Sequence, residues 1–220
     1  MTLRCALLPY TIAALVLTTI HLCFLLSLNE GHVHSCVPYW SDCVSISKSG
    51  RYGSAYFVFK GGMIPACVLL AQFWWLTQGW LTAHNSPKRW LGVVGLIASL
   101  ALLLYTLSLG HSGDHFRTLR RFGVVLFLGL SFINFAALAQ ALKTITTRPQ
   151  LAQAGRTLAR ACAVILGIAL FSLLLDALMG DDYDRLENAF EWWLIVLLIG
   201  LLIYTGRLWQ QQSFTLTIGR

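Results

Sequence analysis

The stretch LGVVGLIASLALLLYTLSL, Leu91–Leu109, runs for nineteen residues without a charged side chain or a proline. Wound as an α-helix at 1.5 Å per residue it is about 28 Å long, close to the roughly 30 Å thickness of a bilayer's hydrocarbon core. Its apolar residues do not alternate with polar ones and do not keep to one stripe, so they predict a helix with apolar surroundings on every side. Five further segments read the same way: Leu7–Leu28, Tyr56–Leu81, Phe122–Leu142, Leu158–Met179 and Ala189–Leu208. Pro65 lies inside the second of the six spans and is tolerated there, because neighbouring helices can satisfy the carbonyl it frees.

Composition agrees. The chain is 57% hydrophobic and 11% charged, against about 25% charged in an ordinary soluble domain, and its mean hydropathy is +0.68. The connections between spans are too short to fold alone. The expectation is an all-α polytopic membrane protein, one domain over residues 1–220, built as a six-helix bundle. The first span is too long for the apolar part of a secretory signal and lacks a small-residue cleavage site, so it is expected to be retained. No nucleic-acid motif is present, and the net charge of +7 is read as a membrane feature.

Six spans place both termini on one side. That side carries Arg4, Lys88, Arg89, Lys143, Arg148, Arg156, Arg160, Arg207 and Arg220, nine of the sixteen basic residues. The bias favours cytoplasmic termini, in a plasma membrane or, for a bacterium, an inner membrane. All nine acids and five of the six histidines fall at the other, outer end. Trp80, Trp90 and Trp209 are expected to mark the inner interface, and Trp40, Trp192 and Trp193 the outer one.

The longest connection, Asn29 to Ala55, holds CVPYWSDCVSISKSGRYG, Cys36–Gly53. Cys36 and Cys43 are the cysteines of the outer loops, and they form either a disulfide suited to an oxidising compartment or two loop thiols. Asp42 is a candidate base, ligand or ion-pair partner for Arg117, Arg120 or Arg121. Alternatively it orders the loop as an Asx turn, helped by Ser41. In HSGDH, His111 and His115 have the spacing of a helical metal pair, but Gly110 and Gly113 favour a turn. With His32, His34 and Asp42 there are enough potential ligands for a metal, yet hydrogen-bonded interfacial histidines are the expectation, with no metal and no cofactor.

In GDDYDRLENAFEWW, Gly180–Trp193, Asp184 and Glu187 read as a capping box opening the last helix. Glu191 lies one turn deeper, beside Trp192 and Trp193, where a carboxylate needs a partner or water. Lys60, one turn into the second span, is at similar depth and is the expected mate, with an outer Arg or His as the alternative. Asp176 near the outer end of the fifth span also needs a partner. The helix centres are nearly free of ionisable groups, and Asn134 is the strongest polar residue there. This speaks against an ion path or a haem held by paired histidines.

Pro38-Tyr39-x-Ser41-Asp42 just after the first span resembles the P-Y-x-S-D signature of the Frag/DRAM/Sfk family of six-helix membrane proteins. Phe59 to Met63 resembles the aromatic-then-glycine opening of that family's second helix. His115 precedes the fourth helix as a histidine does there, and Glu191-Trp192 resembles the E-W of its last helix. Cys43-Val44 follows Asp42 where the family has Thr-Gly. The resemblance implies a role in lipid handling, with Asp42, His115 and Glu191 as candidate site residues. Three functions follow as expectations. The first is binding or organising lipid at the outer-leaflet face. The second is a lipid hydrolase or acyltransferase using Asp42, His111, His115 and Glu191. The third is a structural or partner-binding membrane subunit, its membrane-protein partner unspecified. Ser41, Lys60, Asp176, Arg120 and Arg121 are the polar residues expected to line the lipid-facing or structural part of that outer face.

Overall fold

A computed structural model describes the chain over residues 2–40, 44–86, 88–145 and 147–217, leaving aside the side chains of 2, 3, 181, 182, 184, 185 and 217. Six helices are long and apolar enough to cross a membrane: α1 (Leu7–Asn29), α3 (Gly53–Ala83), α4 (Leu91–Ser108), α5 (Asp114–Lys143), α6 (Pro149–Met179) and α7 (Asp184–Gln211). A four-residue helix, α2 (Ile46–Ser49), lies in the first long connection, and a 3₁₀ turn, Gly180–Tyr183, joins α6 to α7. The protein is an all-α integral membrane bundle. Pro65 leaves α3 continuous.

The helices close into a ring: α1 packs on α3, α3 on α4, α4 on α5, α5 on α6, α6 on α7 and α7 back on α1. Lipid tails are as apolar as leucine, so contact between such helices depends on close backbone approach, which small residues allow. Gly62 admits Thr19 of α1, and Gly95 admits the ring of Trp74. A Cβ on Gly155 would sit 2.6 Å from the Lys143 nitrogen and 2.8 Å from the Ala139 oxygen, so α5 and α6 touch backbone to backbone there. Asn134 is buried on α5 and donates to the Leu91 carbonyl at 3.1 Å, tying α5 to the first turn of α4.

Both termini lie on one face. Strand β1 (Thr2–Arg4) pairs antiparallel with β2 (Thr215–Thr217), with Leu3 opposite Leu216. Beneath them Trp80, Trp209 and Phe214 pack edge to face. Trp80 and Trp209 are buried, which corrects their reading as interfacial anchors. They belong to the core because the strand pair and Phe214 cover them; Trp90 is exposed as expected.

Two boundaries also differ from the hydropathy reading. Helix α5 begins at Asp114 and α6 at Pro149, eight or nine residues before their apolar runs. Charged residues end an apolar run without ending a helix. At the start of α7 the N-cap is Tyr183, in helical conformation and with no side-chain cap bond. Asp184 is therefore the first helical residue instead of a cap, since the 3₁₀ turn leads straight into the helix.

Candidate functional site

At the face opposite the termini, α1 ends in Glu30 and the chain returns over the bundle. The return is held by an aromatic cluster. His21 Nδ1 lies 2.8 Å from the Leu17 carbonyl, which can only accept, so Nδ1 carries the proton. The other nitrogen, Nε2, is hydrogen-bonded with the Tyr39 hydroxyl at 2.7 Å. Trp192 stands edge-on to His21, Phe24 and Tyr39. Its indole N–H donates to the Val44 carbonyl at 2.8 Å, and Trp193 donates to the Tyr39 carbonyl at 3.0 Å. Helix α7 thus grips both ends of the segment 39–44. Burial raises the Tyr39 phenol above its ordinary pKa, which keeps it protonated. Tyr39 lies in the Cys36–Gly53 stretch noted in the sequence but is not among the site residues named there; His21 as its partner carried no local motif and emerges only from the packing.

The continuation, Ser45 to Arg51, forms one wall of an open cavity of about 740 Å³. Arg117, Arg120 and Arg121 of α5 line it together with Arg51. Asp176 of α6 and Glu187 and Glu191 of α7 line it as well. None of these three acids forms an ion pair with a described residue; the ion pairs found are His32–Glu30 at 3.4 Å and Arg117–Asp114 at 3.5 Å. Arg120 is held by the Ser108 and His111 carbonyls, each at 3.0 Å. The Arg51 Nε–H is buried without an acceptor.

Glu191 is the hinge of the arrangement. It also lines a second, apolar cavity of about 80 Å³ inside the ring, walled by α1, α3, α4, α5 and α7. Along α7 this crevice runs from Glu191 to Leu202, a descent of about 16 Å at 1.5 Å per residue. That is about half the roughly 30 Å hydrocarbon core, the depth of one leaflet. Charged cavity and greasy crevice therefore adjoin along a shared wall of Tyr105, Val124, Leu128 and Glu191, whose carboxylate is the one acid common to both.

The expected Glu191–Lys60 pair does not form. Lys60 donates to the Tyr56 hydroxyl at 2.7 Å and to the Leu107 carbonyl at 3.3 Å, because Tyr56 sits one turn before it on the same helix. His111 lines a neighbouring cavity of about 280 Å³ that shares Arg51, Arg117 and Arg120 with the larger one. His115 lines neither and packs against Phe116. Glu191, His111 and His115 are thus not gathered around one point. Asp42, Ser41 and Cys43 lie outside the described residues. Cys5, Cys23, Cys67 and Cys162 are buried, and no disulfide joins two described cysteines. Among the described residues no group of three His, Cys, Asp or Glu side chains is placed to hold a metal.

Sequence reasoning missed Arg51, Ser47 and Tyr105 as site residues. Tyr105 is buried on α4 within electrostatic reach of Glu191, Arg51 and Arg120. It was legible only as the lone phenol in an otherwise aliphatic run. No family model matches this chain, and neither a curated protein nor a solved structure matches it.

Proposed function

We propose that this protein binds a membrane lipid, headgroup in the charged cavity and one acyl chain in the crevice below. The carrying observation is that the two adjoin, with Glu191 lining both. A soluble metabolite has no use for a leaflet-deep apolar slot, and an ion has no use for a mouth of about 740 Å³. The outer half of α6 adds a side entrance, since none of its residues beyond Ile165 is buried. In this reading the cavity faces the outer leaflet with both termini cytoplasmic, and Cys36 pairs with Cys43 above it. The resemblance to the Frag/DRAM/Sfk family is in keeping with such a role and is proposed on the same footing.

The test is native mass spectrometry of the protein purified in mild detergent. One phospholipid mass should remain on the wild type and be lost from Leu198→Trp and Leu202→Trp, which fill the crevice and do not line the charged cavity. Equal adducts on all three would sink the reading. Ser35→Cys and Arg89→Cys should label from opposite sides of the membrane. A free-thiol count two lower before reduction than after it would support the Cys36–Cys43 pair.

A further inference from the structure

Resting on the lipid reading above, we infer that the headgroup is a phosphodiester bearing a primary amine, of the phosphoethanolamine class. The charges of the cavity are separated by element. Arg117, Arg120 and Arg121 come from α5 and Arg51 from the loop before α3, whereas Asp176 comes from α6 and Glu187 and Glu191 from α7. These walls do not neutralise each other, for no ion pair joins them among the described residues. Arg117 also meets Asp114 at 3.5 Å, but Arg51 and Arg120 have no carboxylate partner among the described residues, so the cavity keeps charge of both signs and is complementary to a dipolar ligand.

The arginine end fits a phosphate. Guanidinium groups present forked donors that match phosphate oxygens, and Arg51 has a buried N–H still short of an acceptor. Arg51, Arg117 and Arg120 also line the smaller neighbouring cavity, where no acid is present, so this wall stays cationic on both sides. The acid end fits an ammonium that donates hydrogen bonds. A quaternary ammonium would instead need open aromatic faces, and here Tyr183 stacks on Phe190 while Phe171 meets Phe190 edge-on. Those rings face one another.

The experiment adds four defined lipids in turn to the full-length protein, delipidated in mild detergent, and reads occupancy by native mass spectrometry. They are phosphatidylethanolamine, phosphatidylcholine, phosphatidylglycerol and diacylglycerol, with soluble glycerophosphoethanolamine as competitor. Phosphatidylethanolamine should bind about tenfold more tightly than phosphatidylglycerol or phosphatidylcholine, the worth of one or two charge-assisted hydrogen bonds. Glu187→Gln should erase that preference while phosphatidylglycerol binding persists, and Arg117→Gln should weaken both phospholipids alike. Equal binding of phosphatidylglycerol or phosphatidylcholine, unchanged by Glu187→Gln, overturns the amine assignment and leaves the lipid reading standing. Diacylglycerol binding as well as any phospholipid overturns the phosphate assignment. Competition by glycerophosphoethanolamine at the lipid's own affinity supports the headgroup class but contradicts use of the crevice. Absence of binding by all four lipids overturns both proposals together.

Discussion

The two halves of α6 differ sharply, and in the sense opposite to their hydropathy, since the more apolar half is the less buried. From Pro149 to Ile165 the helix buries Leu151, Ala154, Gly155, Leu158, Cys162 and Ile165. Beyond Ile165 it buries nothing, and Leu166, Leu170, Phe171, Leu173, Leu174 and Leu178 are between 43% and 73% exposed. One end is locked to α5 at Gly155, while the other stands off and leaves the charged cavity between α5 and α7. A transmembrane helix need not pack along its whole length, because lipid is as good a surrounding for leucine as protein is. Where it does not pack, room is left for a ligand.

The comparison breaks most readily at its glycines. Gly155→Ala places a methyl within 2.6–2.8 Å of α5 backbone atoms that cannot retreat. It should cost about 1–3 kcal/mol, as overpacking does. Gly167→Ala at the open end meets nothing within 4 Å and should be neutral or stabilising by up to about 1 kcal/mol. Thermal unfolding in detergent reads both. Equal losses would mean that α6 is packed throughout. The opposite wall is sharpened by Trp192→Phe, which keeps an aromatic ring but leaves the Val44 carbonyl without its donor. A loss of about 1–2 kcal/mol is expected, together with faster proteolysis of the segment 39–44. Unaltered cleavage and melting would show that α7 does not hold that segment.

Smaller still is the stability effect of Glu191→Gln. Its carboxylate has no ion pair to lose among the described residues, and the amide keeps its size and an acceptor oxygen. The melting temperature should shift by less than the equivalent of about 1 kcal/mol, the net worth of an ordinary hydrogen bond, while lipid occupancy falls. A large destabilisation would reveal a structural ion pair instead. The least effect belongs to the exposed rim, where the Ser54 hydroxyl and amide hold the Glu30 carboxyl below its ordinary value of 4.5. Because the folded pKa is the lower one, this contribution is complete above the unfolded value and fades as pH falls through the folded one. Wild-type stability should therefore drop slightly more than that of Glu30→Gln on acidification below about pH 5. Parallel curves would remove Glu30 from the account.

The architecture was legible because six uninterrupted apolar runs have one solution in a bilayer, and short connections allow only neighbouring helices. Glu191 was legible as well, since a carboxylate one turn beyond the helix start and beside two tryptophans had to face something other than lipid. Its partner was not. Depth along two helices says nothing of their rotation, and Lys60 was already satisfied by Tyr56 one turn away. Hydropathy alone misleads about the two halves of α6, because the half with six leucines is less buried than the half with two, lipid suiting leucine as well as protein does. The small residue that decides it, Gly155, lies among the polar residues before the apolar run. Arg51 escaped notice for a related reason: it stands in a polar loop, and only the fold of Ser45–Arg51 over the ring turns it toward α5.

The central claim, that a lipid occupies the ring's interior as well as its surface, is tested most directly by photo-crosslinking in membranes. A phospholipid with a diazirine near the middle of one acyl chain should leave adducts on interior residues such as Leu128, Leu198 and Leu202, and Leu128→Trp should abolish them. Adducts confined to the outward residues Val164, Leu170 and Leu174, unchanged by that substitution, would contradict the account.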